Sequence, residues 1–207
     1  MPVSRRAFLI SSLPAAALWF REAKAADGPT AVIQRFCDAL IAVMKEARGL
    51  SFDQRYQRLA PTISQAYNLP LMGQLTVGAE WARLPPAQQQ RFTDEFSRYT
   101  VAVYANRFDS YNGQRFDVQP ATVTGPSGVI VQTQLIRADG TKLPLNYLMR
   151  QSDGGGPWQA IDVYLSGTIS ELATRRADFV AVLQRSGMDG LLQLLETRTA
   201  DLRRDKP

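Results

Sequence analysis

Trp158-Gln159-Ala160-Ile161-Asp162-Val163-Tyr164-Leu165-Ser166-Gly167-Thr168-Ile169-Ser170 is the stretch that decides the fold. Ile161, Val163 and Leu165 alternate with Asp162, Tyr164 and Ser166, the period of two of a pleated strand. Gly167 ends that pattern, and helix caps follow. Thr168 with Glu171 three positions later forms a capping-box pair, and Ser170 is a second candidate cap. A last strand therefore hands the chain directly to a long helical region. Everything upstream builds the sheet this strand joins or the helices that cover it. The stretch holds no nucleophile–base pair.

Outward from it, Asp153-Gly154-Gly155-Gly156-Pro157 is the turn that leads into the strand, and Leu143, Leu145, Tyr147 and Met149 mark one face of the strand before. Asp139-Gly140 is a hairpin signal. Val129, Val131, Thr133 and Leu135 alternate with Ile130, Gln132, Gln134 and Ile136 after a Gly125-Pro126-Ser127-Gly128 turn. Phe116, Val118 and Pro120 mark a weaker segment, placed at an edge because proline cannot donate to a ladder. The sum is an antiparallel meander of about four strands, three strong and one weak.

Helical spacing frames the sheet on both sides. Ile33, Phe36, Leu40, Val43 and Met44 share a face of a helix running to Arg48 and stopped by Gly49. Ser51 to Ala66 carries Phe52, Tyr56, Leu59 and Ile63 at the same spacing. Asn68 to Gly73 breaks the chain and restarts it in a short piece. Leu84-Pro85-Pro86-Ala87 then opens the longest helix, with proline where a first turn tolerates it. Phe92, Phe96, Tyr99, Val103 and Phe108 form its aromatic stripe, which reads as core packing, as the lining of a ligand cavity, or as both. After the last strand, Leu172, Arg176, Phe179 and Leu183 continue from Ile169 along one face, Ser186-Gly187 interrupts, and Met188, Leu191, Leu192 and Leu195 resume. The tail from Arg203 to Pro207 reads as solvated and frayed. The class is α+β.

Composition bounds the function. A chain of 207 residues with 45% hydrophobic and 21% charged content fits one domain. Residues 1–25 read as a secretory signal: Arg5 and Arg6 as basic region, Ala7 to Phe20 as apolar region, Ala23-Lys24-Ala25 as cleavage site. Ser4-Arg5-Arg6-Ala7-Phe8-Leu9 also resembles a twin-arginine export signal. The expected layout is thus a signal peptide over 1–25 and a single domain over 26–207, located in the periplasm. Taking four cations and one carboxylate of the signal from totals of 24 and 19 leaves 20 against 18. A net charge of +2 argues against nucleic acid as the partner. Cys37, on an apolar helix face, is the single cysteine, so no intrachain disulfide forms. The absence of histidine removes His-based triads, the usual zinc sites and the usual proton shuttle.

Several patches fall in an order that resembles a known family. Gly78-x-x-Trp81-x-x-Leu84 leads into Gln88, Gln90, Phe92, Phe96, Tyr104-Ala105 and Phe108; Trp158, Asp162-Val163, Gly167-x-x-Ser170, Arg175, Phe179 and Gly187 follow. This order, from Ala31 to Leu195, resembles the MlaC/toluene-tolerance auxiliary family of periplasmic phospholipid-binding proteins. Asn146-Tyr147-Leu148-Met149-Arg150, Gly167-Thr168-Ile169-Ser170 and Arg175-Arg176 resemble its hopanoid-biosynthesis-associated branch, HpnM. The resemblance implies a curved antiparallel sheet of nuclear transport factor 2-like type, with acyl chains held between sheet and helices. It implies exchange of phospholipid or hopanoid with an inner-membrane ABC transporter complex and an outer-membrane lipoprotein complex. It carries over no catalytic residue, metal or cofactor.

Three functions remain to be weighed. The first is a lipid carrier whose pocket is lined by Phe92, Phe96, Tyr99 and Val103 from the helix and by Leu143, Leu145, Tyr147, Ile161, Val163 and Leu165 from the sheet. The second is an interaction module in which those side chains simply fill the core. The third is an acid–base enzyme using Asp162. Against the last, an aspartate on the face opposite Ile161 and Val163 reads as a solvated or salt-bridged strand residue, with Arg150 or Arg175 as the expected partner.

Overall fold

The computed structural model describes residues 27–121, 123–125 and 128–204. The expected signal peptide, most of the Pro126-Ser127 turn and the last three tail residues lie outside them. Helices α1 (Pro29–Glu46), α2 (Phe52–Ala66), α3 (Leu69–Val77) and α4 (Pro86–Arg107) precede the sheet. Each start has a local cause. Proline stands in the first turn of α1, and Ser51 and Gln54 form a reciprocal capping box on α2. Asn68 Oδ1 accepts the Leu71 amide to begin α3.

Among the described residues, seven strands follow: β1 (Arg115–Val118), β2 (Val123–Gly125), β3 (Gly128–Val131), β4 (Thr133–Ile136), β5 (Lys142–Gln151), β6 (Trp158–Leu165) and β7 (Ile169–Ser170). The four expected segments are all present; one is split and two short strands are added. The split falls at Gln132. Along one edge of the long β5, β4 pairs with Lys142 to Pro144 and β3 with Tyr147 to Met149. The break lets a single run of chain follow the curve of the sheet, with Thr133 Oγ1 donating to the Leu145 carbonyl at the bend. The other edge of β5 pairs with β6.

The β5–β6 register corrects the simple alternation. Leu145 faces Leu165 and Tyr147 faces Val163, but a bulge between Leu148 and Met149 brings Met149 opposite Ala160. Ile161 is the extra residue on β6. The core-facing row is therefore Leu165, Val163 and Ala160, and Ile161 is buried outside the main core cluster.

Helix α5 (Glu171–Arg204) begins directly after β7, as the opening stretch predicts. Its cap is Ser170, whose Oγ accepts the Ala173 amide at 2.8 Å, rather than a Thr168–Glu171 box. Gly187, with φ 63° and ψ −168°, bends it at the expected interruption. The helix runs on through Arg204, further than the frayed tail expected. Arg203 pairs with Asp53 at 3.0 Å and lies over the Phe52 ring, tying the end of α5 to α2.

Val131, Tyr147, Met149, Ala160 and Val163 form the sheet side of one core with Phe36, Leu40, Leu59, Ile63, Phe92, Phe179 and Leu191 from the helices. Gly128 shows how closely the strands meet. Its φ is 137°, and a Cβ there would lie 2.3 Å from the Met149 carbonyl oxygen. Gly128→Ala is expected to destabilise the fold by roughly 1–3 kcal/mol, read as a lower urea midpoint at unchanged slope.

Candidate functional site

The N-terminal half of α1, the end of α2 and the start of β6 enclose a cleft of 670 Å³. This lies within the ~300–1,000 Å³ of sites that hold small molecules. Val32, Phe36, Ala39, Ala66 and Trp158 give it apolar walls, and Arg35, Asp27 and Gln65 give it polar lining. Arg35 pairs with Asp27 at 2.9 Å. The wall between α2 and β6 is held by one side chain. Gln159 Nε2 donates to the carbonyls of Ser64, Gln65 and Tyr67 at 3.2, 3.4 and 3.2 Å, satisfying groups that the end of a helix leaves orphaned. The Asn68 amide adds a bond to the Ala160 carbonyl at 3.0 Å.

Phe36 stands between the cleft and the sheet. Its ring meets Tyr67, Tyr104 and Tyr147 edge-on, at centroid distances of 5.2, 5.6 and 6.1 Å. The Tyr67 and Tyr104 hydroxyls are hydrogen-bonded at 2.5 Å. Burial pushes all three phenols above the ordinary tyrosine range, Tyr67 and Tyr147 well above it. They are neutral donors at any physiological pH. Burial, and then the nearby Asp38 carboxylate, likewise raise Cys37 on the same turn of α1, making it an inert apolar residue as its helix position suggests.

The ten candidate lining residues divide into two groups, and none of them lines this cleft. Phe92 and Phe96 are fully buried and meet Phe179 of α5, each at 6.4 Å and near perpendicular. Tyr99 is half-buried beneath the Arg175 guanidinium, 5.6 Å from its ring centre. Val103 is buried outside the main cluster. On the sheet, Tyr147 and Val163 are paired across β5 and β6 in the core, and Leu145 and Leu165 form the next half-buried pair beside them. Leu143 is half-buried opposite Leu135, at the far end of β5. Ile161 sits at the bulge. Phe36 is the contact between the cleft and the Tyr147–Val163 face.

Asp162 is neither solvated nor paired with Arg150 or Arg175. It is 5% exposed, and its carboxylate accepts the Val163 amide at 2.7 Å, the Leu172 amide at 3.0 Å and the Ser170 hydroxyl at 2.5 Å. These bonds fasten the start of α5 to β6. Arg175 instead pairs with Glu171 at 2.7 Å, bonds Thr100 Oγ1 at 2.9 Å and lies over Phe96, joining α5 to α4.

Phe36, Tyr67, Tyr104, Trp158 and Gln159 shape the cleft and its floor but were not among the candidates. Helical spacing marks Phe36 only as a core position, and the three tyrosines come from separate elements. Among the described residues, no cluster of three His, Cys, Asp or Glu offers a metal site, and no helix is long and apolar enough to cross a membrane.

The chain is similar to known proteins in three respects. The family model described as MlaC protein matches residues 34–197. The toluene tolerance protein Ttg2D of Pseudomonas putida is 30% identical over 105 residues, which is 50% of this chain and 47% of that protein. The chain thus spans about half the length of that curated relative. A solved phospholipid-binding protein from Ralstonia solanacearum, in complex with a phospholipid, matches with a TM-score of 0.74 at 23% identity, over 86% of this chain and 100% of that one, so the two share a fold. With its family model matched across most of its length, and with the curved sheet and helical cover in place, this chain belongs to the MlaC family.

Proposed function

We propose that this protein is a lipid carrier of the periplasm, reached by way of a signal peptide over residues 1–25. Its cargo is a phospholipid, with a hopanoid as the alternative. Its partners are an inner-membrane ABC transporter complex and an outer-membrane lipoprotein complex. The observation that carries this reading is the 670 Å³ cleft whose apolar inner wall, Phe36, backs onto the Tyr147–Val163 face of the sheet. Acyl chains enter at the cleft, displace Phe36 and run along Val163, Leu145 and Leu165, with Phe92, Phe96, Tyr99 and Val103 supporting the helical side. The phospholipid in the Ralstonia protein of like fold and the family membership support the cargo class.

The energetics suit a carrier. Each methylene left in water forfeits ~0.8 kcal/mol, whereas passage from bilayer to protein exchanges one apolar surrounding for another. The carrier removes the aqueous barrier, and direction comes from its partners. On this reading the protein acts without catalysis, and the Asp162 carboxylate holds the start of α5 through Ser170 and Leu172.

Ala39 lines the cleft on α1 and is half-exposed, so a large side chain there fills the entrance without entering the core. Ala39→Trp is expected to stay folded and to purify with less than a tenth of the wild-type lipid, measured by extraction. Full loading of that variant would move the entrance elsewhere. The packed interior between sheet and helices favours the second reading, an interaction module, and that reading requires a wild-type protein that takes up no lipid.

A further inference from the structure

We propose that the Tyr67, Tyr104 and Tyr147 hydroxyls form an interior polar subsite for the ester carbonyls of a diacyl lipid. The inference rests on the carrier reading and adds to it a point of chemical selection. Three phenols carry three donor hydrogens. Tyr67 bonds Tyr104 at 2.5 Å, and the Tyr147 ring stands 6.3 Å from that of Tyr67, so the three phenols form one cluster with Tyr67 at its centre. The Tyr67–Tyr104 bond uses one phenol hydrogen, so the hydrogen of its accepting partner has no acceptor within the pair. A spare donor in a setting this apolar calls for an explanation.

The placement supplies one. The trio surrounds Phe36, which lines the cleft, while Tyr104 is half-buried and keeps some accessible surface. When Phe36 turns aside, the hydroxyls become the first polar groups behind the apolar walls. Beyond them lie Val163, Leu145 and Leu165, suited to chains. A lipid with its chains on that face and its phosphate toward Arg35 and Gln65 passes its glycerol region by the phenols. Ester carbonyls accept and cannot donate, which matches groups whose excess is in donors. Burial raises their pKa and keeps those donors protonated.

The test compares a diacyl phosphatidylglycerol with the dialkyl ether lipid of the same headgroup and chain length. The two compete for the delipidated full-length mature protein, and native mass spectrometry reads the ratio bound in the folded population. The wild type is expected to prefer the ester lipid by roughly three- to tenfold, the worth of one net hydrogen bond. Tyr67→Phe and Tyr104→Phe keep the rings and are expected to reduce the preference, and the triple phenylalanine variant to abolish it. Equal binding of both lipids by the wild type overturns the subsite while leaving the carrier intact, as does a preference that survives in the triple variant. A wild type that takes neither lipid overturns the carrier reading and the subsite with it.

Discussion

Val163→Asp is expected to abolish lipid retention, and Leu145→Asp to do the same in a protein that remains folded. Val163 is 4% exposed, paired with Tyr147 across the strands and central to the proposed chain-binding face. A carboxylate there is set among the apolar side chains of the core, and an unpaired buried charge costs several kcal/mol. Part of the effect in that variant is therefore lost stability. Leu145, half-buried beside Leu165 at the edge of the same face, separates the two effects. An aspartate at 145 can reach solvent, so the fold survives. The charge still forces the chain terminus of a lipid to give up apolar contact worth ~0.8 kcal/mol per methylene. The measurement is lipid extracted per mole of protein, alongside circular dichroism. A folded Leu145→Asp protein with its full lipid load would contradict the assignment of this face.

Asp162→Ala is expected to lower stability by about 3 kcal/mol or more, without changing the lipid bound per folded molecule. The carboxylate serves two amides and one hydroxyl, and hydrogen bonds to a charged group contribute ~1.5–3 kcal/mol each, although their losses do not add fully. It also lies where the positive end of the α5 dipole favours an anion. Asp162→Asn retains an acceptor for the two amides and is expected to recover about half of the loss. Urea midpoints for the three proteins check the order. An alanine variant within ~0.5 kcal/mol of wild type, the range of an unimportant surface change, would contradict the role given to Asp162.

Much of the fold was legible because periodicity reports burial. The alternation at Leu143, Leu145, Tyr147 and Met149 gave β5 its face, and Ser170 and Gly187 are local signals whose consequences are local. The bulge at Ile161 was not legible, since a count of two along one strand carries no information about its partner. The split at Gln132 was hidden for a related reason: both halves keep alternating, and only the bending of β5 separates them. Asp162 reads as a surface residue along its strand, but the helix start that buries it arrives from outside the strand.

The site was less legible than the fold. Periodicity assigns Phe36 to the core and says nothing of what meets it there. The cleft arises because the end of α2 is sewn to the start of β6 by Gln159, a polar residue in a strand with no signal of its own. Tyr67, Tyr104 and Tyr147 come together only when a helix junction, a helix and a strand converge on one phenylalanine. Resemblance in the order of scattered residues carried the functional reading further than any single motif.

The most direct test of the carrier is native mass spectrometry of the mature protein purified from periplasm, with lipid extraction from the same sample. The account predicts a discrete added mass equal to that of a phospholipid or a hopanoid, recovered in the extract. A bare polypeptide mass that persists after incubation with liposomes would contradict it.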